Sequence, residues 1–240
     1  MKYLTIARLV IIVLLLIFIF VQLGWCEAKS GDMSPPKQIA LTFDDGPRPG
    51  VLEKLLPLLK QYKTEATFFV IGAVAMEHKN WLRQIVAEGH EIENHSYGHE
   101  NMKKLFAKEG LLKIFVSIEK TAVVIYQATG HTTHFFRPPY WEIPQEVAIE
   151  IQKQLDHKVM LLENPDINCL DYEDVAKGRS AEILINRIKK LISAREKQKK
   201  FRHVLVFHEL PPTIEALKVL IPYFLERGYE FVRLDKMFLN

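Results

Sequence analysis

Between residues 38 and 232 the chain alternates short apolar runs with longer amphipathic stretches, about seven times over. The runs are bounded by Gly, Pro or Asp, and most are rich in β-branched and aromatic residues, which predicts strands. They are Gln38 to Phe43, Ala66 to Ile71, Glu91 to Asn94, His134 to Arg137, Val159 to Glu163, Val204 to Phe207 and Tyr229 to Val232. The stretches between them carry apolar residues at helical spacing. Pro49 to Tyr62 places Leu52, Leu55, Leu56 and Leu59 on one face, and Ala181 to Arg195 turns Ile183, Leu184, Ile188 and Leu191 inward. Asn80 to Glu88, Glu109 to Gln127, Gln145 to Leu155 and Thr213 to Arg227 complete the helices. Strands separated by helices imply a parallel sheet with right-handed crossovers. Strands that are apolar throughout imply burial on both faces. The chain from 37 to 240 therefore reads as a single α/β domain, a distorted parallel (β/α) barrel of about seven strands.

The amino terminus breaks this pattern. Lys2 and Arg8 precede an uncharged, mostly apolar run from Leu9 to Trp25. A basic start followed by an apolar stretch is the pattern of a signal peptide or of a short membrane anchor, here residues 1–28. Residues 29–36 read as a linker. The chain is then expected to be exported, as a periplasmic, secreted or surface-anchored protein touching a membrane only through that segment.

With 240 residues, 48% hydrophobic and 25% charged, the chain can bury a sizeable core. A net charge of +3 and the absence of zinc-finger or RNA-binding spacing argue against nucleic acid. Cys26 and Cys169 are the two cysteines, and with Cys26 in the leader no disulfide framework is supported. The run Lys197-Gln198-Lys199-Lys200 reads as a solvated loop, and Cys169 as a partly buried bystander. Phe68, Phe69, Phe135, Phe136 and Phe207 lie inside strands and read as core. His78, His90, His131, His134, His157 and His203 read as surface or structural, with His134 the one nearest the rim. The domain is expected to be a monomer.

Active sites of such folds sit where strands end. After the first strand come Asp44 and Asp45; after the third, His95 and His99; after the fourth, Arg137-Pro138-Pro139-Tyr140-Trp141. After the fifth come Asp166 and Asp171-Tyr172; after the sixth, His208-Glu209. Adjacent carboxylates at the mouth of an apolar strand resist joint ionisation unless a cation or donor stands between them. His95 and His99 are four apart, so one helical turn would put both imidazoles on one side. Two imidazoles and one carboxylate leave a position open on Zn²⁺, the arrangement of a catalytic rather than a structural site. The second carboxylate is then free to act as base. His208 could protonate a leaving group, Asp171 or Asp166 could orient it, and Arg137 could hold the base ionised.

Three of these segments carry motifs. Thr42-Phe43-Asp44-Asp45-Gly46, His95-Ser96-Tyr97-Gly98-His99 and Arg137-Pro138-Pro139-Tyr140 resemble, in order and without change, the motifs of the polysaccharide deacetylases, carbohydrate esterase family 4. The resemblance spans about residues 37–238. It implies that Asp44 is the catalytic base, that Asp45, His95 and His99 hold the metal, and that Arg137 braces the base. It implies that the Tyr140 backbone N–H helps hold the oxyanion and that His208, in Val206-Phe207-His208, is the general acid. The family's Asp-Trp motif has its nearest match in Asp171-Tyr172, with Asp166 as competitor. Trp141 stands where Gly is usual, offering a sugar-stacking face or a narrower cleft. Family members adopt a distorted barrel of about seven βα units.

The implied activity is metal-dependent removal of N-acetyl groups from an N-acetylglucosamine polysaccharide, peptidoglycan or chitin-like. The implied cofactor is Zn²⁺, with Co²⁺ or Ni²⁺ as alternatives. An O-acetyl esterase acting on a xylan-like polymer would use the same chemistry. A silent glycan-binding protein is the reading from another class, and the intact metal triad and base argue against it.

Overall fold

A computed structural model describes residues 36–161 and 166–239. The predicted leader, nearly all of the linker, Cys26 and the end of the predicted fifth strand lie outside the described residues. Pro36–Asn240 form one unit by their contacts.

The strands are β1 (Gln38–Gly46), β2 (Ala66–Val70), β3 (Glu91–Asn94), β4 (Phe135–Phe136), β5 (Lys158–Val159), β6 (Asp166–Asn168), β7 (Arg202–His208) and β8 (Glu230–Phe231). They lie in the order β5-β4-β3-β2-β1-β7-β6, with β8 beside β1, and every pairing is parallel. The result is the expected distorted barrel, with β5 and β6 as the two ends of its curled path among the described residues. The helices are α1 (Pro49–Gln61), α2 (Gly72–Glu77), α3 (Lys79–Ala87), α4 (Met102–Glu109), α5 (Leu111–Thr129), α6 (Gln145–Leu155), α7 (Asp171–Ala176), α8 (Ala181–Lys197), α9 (Pro211–Glu226) and α10 (Leu234–Phe238). None among the described residues is long and apolar enough to cross a membrane.

The two faces of β1 divide the molecule. Ile39, Leu41 and Phe43 join Phe68, Phe207 and the apolar stripes of α1, α8 and α9 in the outer core. Ala40 points into the bore with Phe69, Phe135, Val204 and Val206. Phe43 stacks on Phe68 at 5.1 Å and on Phe207 at 6.0 Å. Each such pair contributes about 1 kcal/mol beyond its burial, and the stack holds the three strands in register. That register sets Asp44 opposite His208. A slip of one residue would turn Asp44 to the outer face.

Several elements differ from the sequence expectation. The predicted helix from Glu109 to Gln127 is α5, which starts after Gly110, whose φ of 77° suits glycine, and α4 before that break was not expected. In α8 the buried positions are Leu184, Ile188 and Ile192, while Ile183 and Leu191 are exposed. The stripe is the same face read one position off. Cys169 is fully rather than partly buried, and its burial pushes the thiol pKa well up.

Candidate active site at the strand ends

β1, β3, β4 and β7 end on one rim, and a cleft of about 270 Å³ opens there. Its walls include Asp44, Asp45, His95, His99, Tyr140, Trp141, Tyr172 and His208. Sequence spacing alone had brought these residues to one rim; the structure brings them to one cleft.

Asp45, His95 and His99 converge. Asp45 Oδ1 lies 3.4 Å from His95 Nε2 and 3.1 Å from His99 Nε2. The two histidines meet through a loop rather than the helical turn that their spacing suggested. Ser96 (φ 66°) and His99 (φ 58°) are left-handed, and the loop is tied by Gly72 N–H to Ser96 O and Ala73 N–H to Tyr97 O. Asp45 is itself left-handed, with φ 68°. Backbone strain of this kind persists where the surroundings over-determine it, and it gathers at functional sites.

The donor set fits a cation. His95 Nδ1 is 2.7 Å from the backbone oxygen of Arg137, which only accepts, so Nδ1 carries the proton. In the ring's neutral form Nε2 would turn its lone pair toward Asp45 Oδ1, a buried oxygen with no hydrogen-bond partner. Acceptors aimed at one another are repulsive until a metal ion stands between them. These three residues form the one such cluster among the described residues. Burial opposes ionisation of Asp45, but its contacts with His95 and His99, with the charges of His95 and His208, hold its carboxyl well below the usual range.

Beside this cluster stand two charge pairs. Arg137, fully buried, donates Nη1–H to Asp44 Oδ1 at 2.6 Å and to Thr42 Oγ1 at 2.9 Å. Its guanidinium lies 3.9 Å over the Phe69 ring and 5.2 Å from that of Trp141. Trp141 thus stands against Arg137, besides lining the cleft. On the other side, His208 Nδ1 meets Asp171 Oδ1 at 2.8 Å. Asp171 Oδ2 accepts His208 N–H and the Thr213 hydroxyl, each at 2.7 Å. Burial lowers the His208 pKa, but the Asp171 contact and the charges of Asp171, Asp44 and Asp45 outweigh it and raise it above the ordinary value.

Asp171, not Asp166, meets the His208 ring; Asp166 starts β6, at the opposite end of the strand. His134 precedes β4 and so stands at the amino end of the barrel, not at the rim. Tyr140, left-handed at φ 61° and 60% exposed, turns its ring edge-on to His99 at 4.8 Å. Tyr172 packs edge-on to His208 at 4.9 Å. Glu209, at the foot of the Asp45 turn, was placed among the strand-end residues by the sequence but given no role; a carboxylate directly after a buried strand is the signal that marks it.

The match to known proteins agrees with this geometry. The polysaccharide deacetylase family model matches residues 31–160. The peptidoglycan-N-acetylglucosamine deacetylase of Bacillus cereus is 31% identical over 218 residues, covering 90% of this chain and 74% of that protein. PgdA, the corresponding enzyme of Listeria monocytogenes, is 30% identical over 84% of this chain, which spans 39% of the Listeria protein. Among solved structures, a peptidoglycan N-acetylglucosamine deacetylase bound to an N-hydroxybenzamide superimposes with a TM-score of 0.73 at 30% identity, over 86% of this chain and 90% of that one. A pseudoenzyme of the same family from Bacillus anthracis superimposes with a TM-score of 0.72 at 25% identity, over 85% of this chain and 66% of its own. The chain belongs to the polysaccharide deacetylase family, carbohydrate esterase family 4.

Proposed function

We propose that this protein removes N-acetyl groups from N-acetylglucosamine units of peptidoglycan, with a divalent metal, Zn²⁺ first, held by Asp45, His95 and His99. The observation that carries the reading is the set of converging acceptors at Asp45, His95 and His99, flanked by the Asp44–Arg137 and His208–Asp171 pairs. The relatives named for peptidoglycan support the substrate, and a wall substrate places the work outside the cytoplasm, in keeping with the leader read in residues 1–28.

A divalent ion bound there supplies Lewis-acid polarisation of the acetyl carbonyl and acidifies an attacking water. The residues supply the rest. Asp44 takes the proton from the water, and Arg137 holds that carboxyl group in place through its Nη1–H. The backbone at Tyr140 offers an N–H to the developing oxyanion. His208, kept protonated by Asp171, delivers a proton to the departing amine. The amide C–N bond breaks, giving acetate and a free glucosamine amine. Trp141 and Tyr172 wall the cleft in which the sugar lies.

The test is acetate release by the purified chain from N-acetylglucosamine oligomers and from peptidoglycan, metal-stripped and then with Zn²⁺ or Co²⁺ restored. Metal-restored release is expected. Tight Zn²⁺ binding with no release from either glycan would overturn the substrate and direct the search to acetyl esters. Failure to bind Zn²⁺ would overturn the metal reading. The neighbouring pseudoenzyme does not favour a silent protein here, because every residue proposed as ligand, base or acid is present in this chain.

A further inference from the structure

The turn that carries Asp45 is tied down by a carboxyl group outside the family motifs. Glu209 follows His208 at the end of β7 and is completely buried. Its Oε2 accepts the backbone N–H of Arg48 at 2.6 Å. Pro47 and Pro49 flank Arg48 and have no N–H, so Arg48 supplies the one backbone donor of this stretch. The guanidinium of Arg48 reaches back to Asp45 Oδ2 at 3.7 Å.

The other oxygen of Glu209 explains a glycine. A Cβ at position 46 would come 1.8 Å from Glu209 Oε1 and 2.6 Å from its Cδ. Gly46 is not among the residues at positive φ, so the backbone there suits any residue. A side chain at 46 would have to displace the carboxyl of Glu209, which occupies that space, from its bond to Arg48 N–H. The strained residue is its neighbour Asp45, at φ 68°. On one side Asp45 is fixed by the pairing of Asp44 with His208, and on the other by Arg48 on Glu209.

We propose that Glu209 is a positioning residue for the metal ligand Asp45, and that Gly46 and Glu209 form a matched pair that holds the ligand turn. The pair acts through Asp45: Glu209 touches neither substrate nor metal. The proposal rests on the metal reading above. Groups that orient a metal ligand typically cost about 10- to 100-fold in metal affinity when removed.

Zn²⁺ titration calorimetry and thermal melting of the full chain test it, without recourse to activity. Glu209→Ala should weaken Zn²⁺ binding by about tenfold or more, while Glu209→Gln, which keeps an oxygen for the Arg48 N–H, should stay within about threefold of wild type. Gly46→Ala should lower the melting temperature through the clash. Gly46→Ala with Glu209→Ala should recover that melting temperature but not the Zn²⁺ affinity. Zn²⁺ affinity in Glu209→Ala equal to wild type would overturn the positioning role. A double variant no more stable than Gly46→Ala would overturn the matched pair. Wild-type protein that takes no Zn²⁺ would instead remove the metal reading, and the two failures are thereby told apart.

Discussion

At the carboxyl ends of the strands, Asp44, Asp45 and Asp171 face an arginine or the ring nitrogens of histidines; lower in the bore, at its floor, Glu91 and Glu93 face backbone amides, a hydroxyl and each other. The His131 ring, 3.5 Å from Glu93, has its own pKa lowered by burial. Four of these five acids are buried and Asp45 is partly so, yet the consequences differ. Asp44 sits on Arg137 and Asp171 on His208. Glu91 Oε2 accepts from the Thr67 hydroxyl and from Leu234 N–H, and Glu93 Oε2 from His134 N–H and Phe135 N–H. Burial, with the charge of Glu93 added, pushes the Glu91 pKa up to about 8. Burial likewise pushes Glu93 up to about 8 against those backbone donors. Glu91 and Glu93 are thereby held as neutral hydrogen-bonding plugs. So is Glu209 behind the rim, which burial likewise pushes up to about 8, with the Arg48 N–H as its one bonded partner among the described residues. Asp45, beside two imidazoles, is held as a carboxylate. A carboxyl group's partner, more than its depth, decides whether it can do chemistry.

Substitutions in the two regions sharpen this contrast. The largest effect is expected from Asp44→Asn, which keeps a hydrogen-bond acceptor for Arg137 but removes the base. Zn²⁺ binding should persist while kcat falls by about 10³-fold or more. Next comes Asp171→Asn, which removes the interaction that raises His208. The alkaline limb of the pH–rate profile should then move to lower pH, since the acid loses its proton sooner; an unmoved limb would remove His208 as the acid.

The floor should respond to pH rather than in rate. Glu91 and Glu93 have folded pKa values raised above the unfolded one, so their contribution to stability is complete in acid. It is lost as pH rises from the ordinary carboxyl range through about 8. Denaturant unfolding should show wild type weakening between about pH 5 and 8, and Glu93→Gln weakening less. Near pH 4, where folded and unfolded chains both hold the proton, the same variant should lie within about 1 kcal/mol of wild type, because it exchanges one neutral hydrogen-bonding group for another.

The rim was legible in the sequence because each group follows an apolar strand directly, and strand ends share a face of the sheet whatever the loops do. Asp44, His95, Arg137 and His208 needed only that rule. Asp171 lies beyond β6, a three-residue strand, and opens a six-residue helix, segments too short to show periodicity. Its competition with Asp166 was settled by β6 itself, which puts those two residues at opposite ends. Trp141 was readable as a cleft residue, but its packing over Arg137 depends on left-handed residues at 140 and 141 that no spacing reveals. The floor acids were unreadable as neutral groups, since Glu91 and Glu93 look like a strand with one polar face until the bore closes over them.

The most direct test sets one residue of each kind side by side: acetate release from peptidoglycan at saturating Zn²⁺ by wild type, Asp44→Asn and Glu93→Gln. The account predicts that Asp44→Asn loses about three orders of magnitude while Glu93→Gln keeps the wild-type rate. Near wild-type release by Asp44→Asn, or an equal loss in both variants, would contradict it.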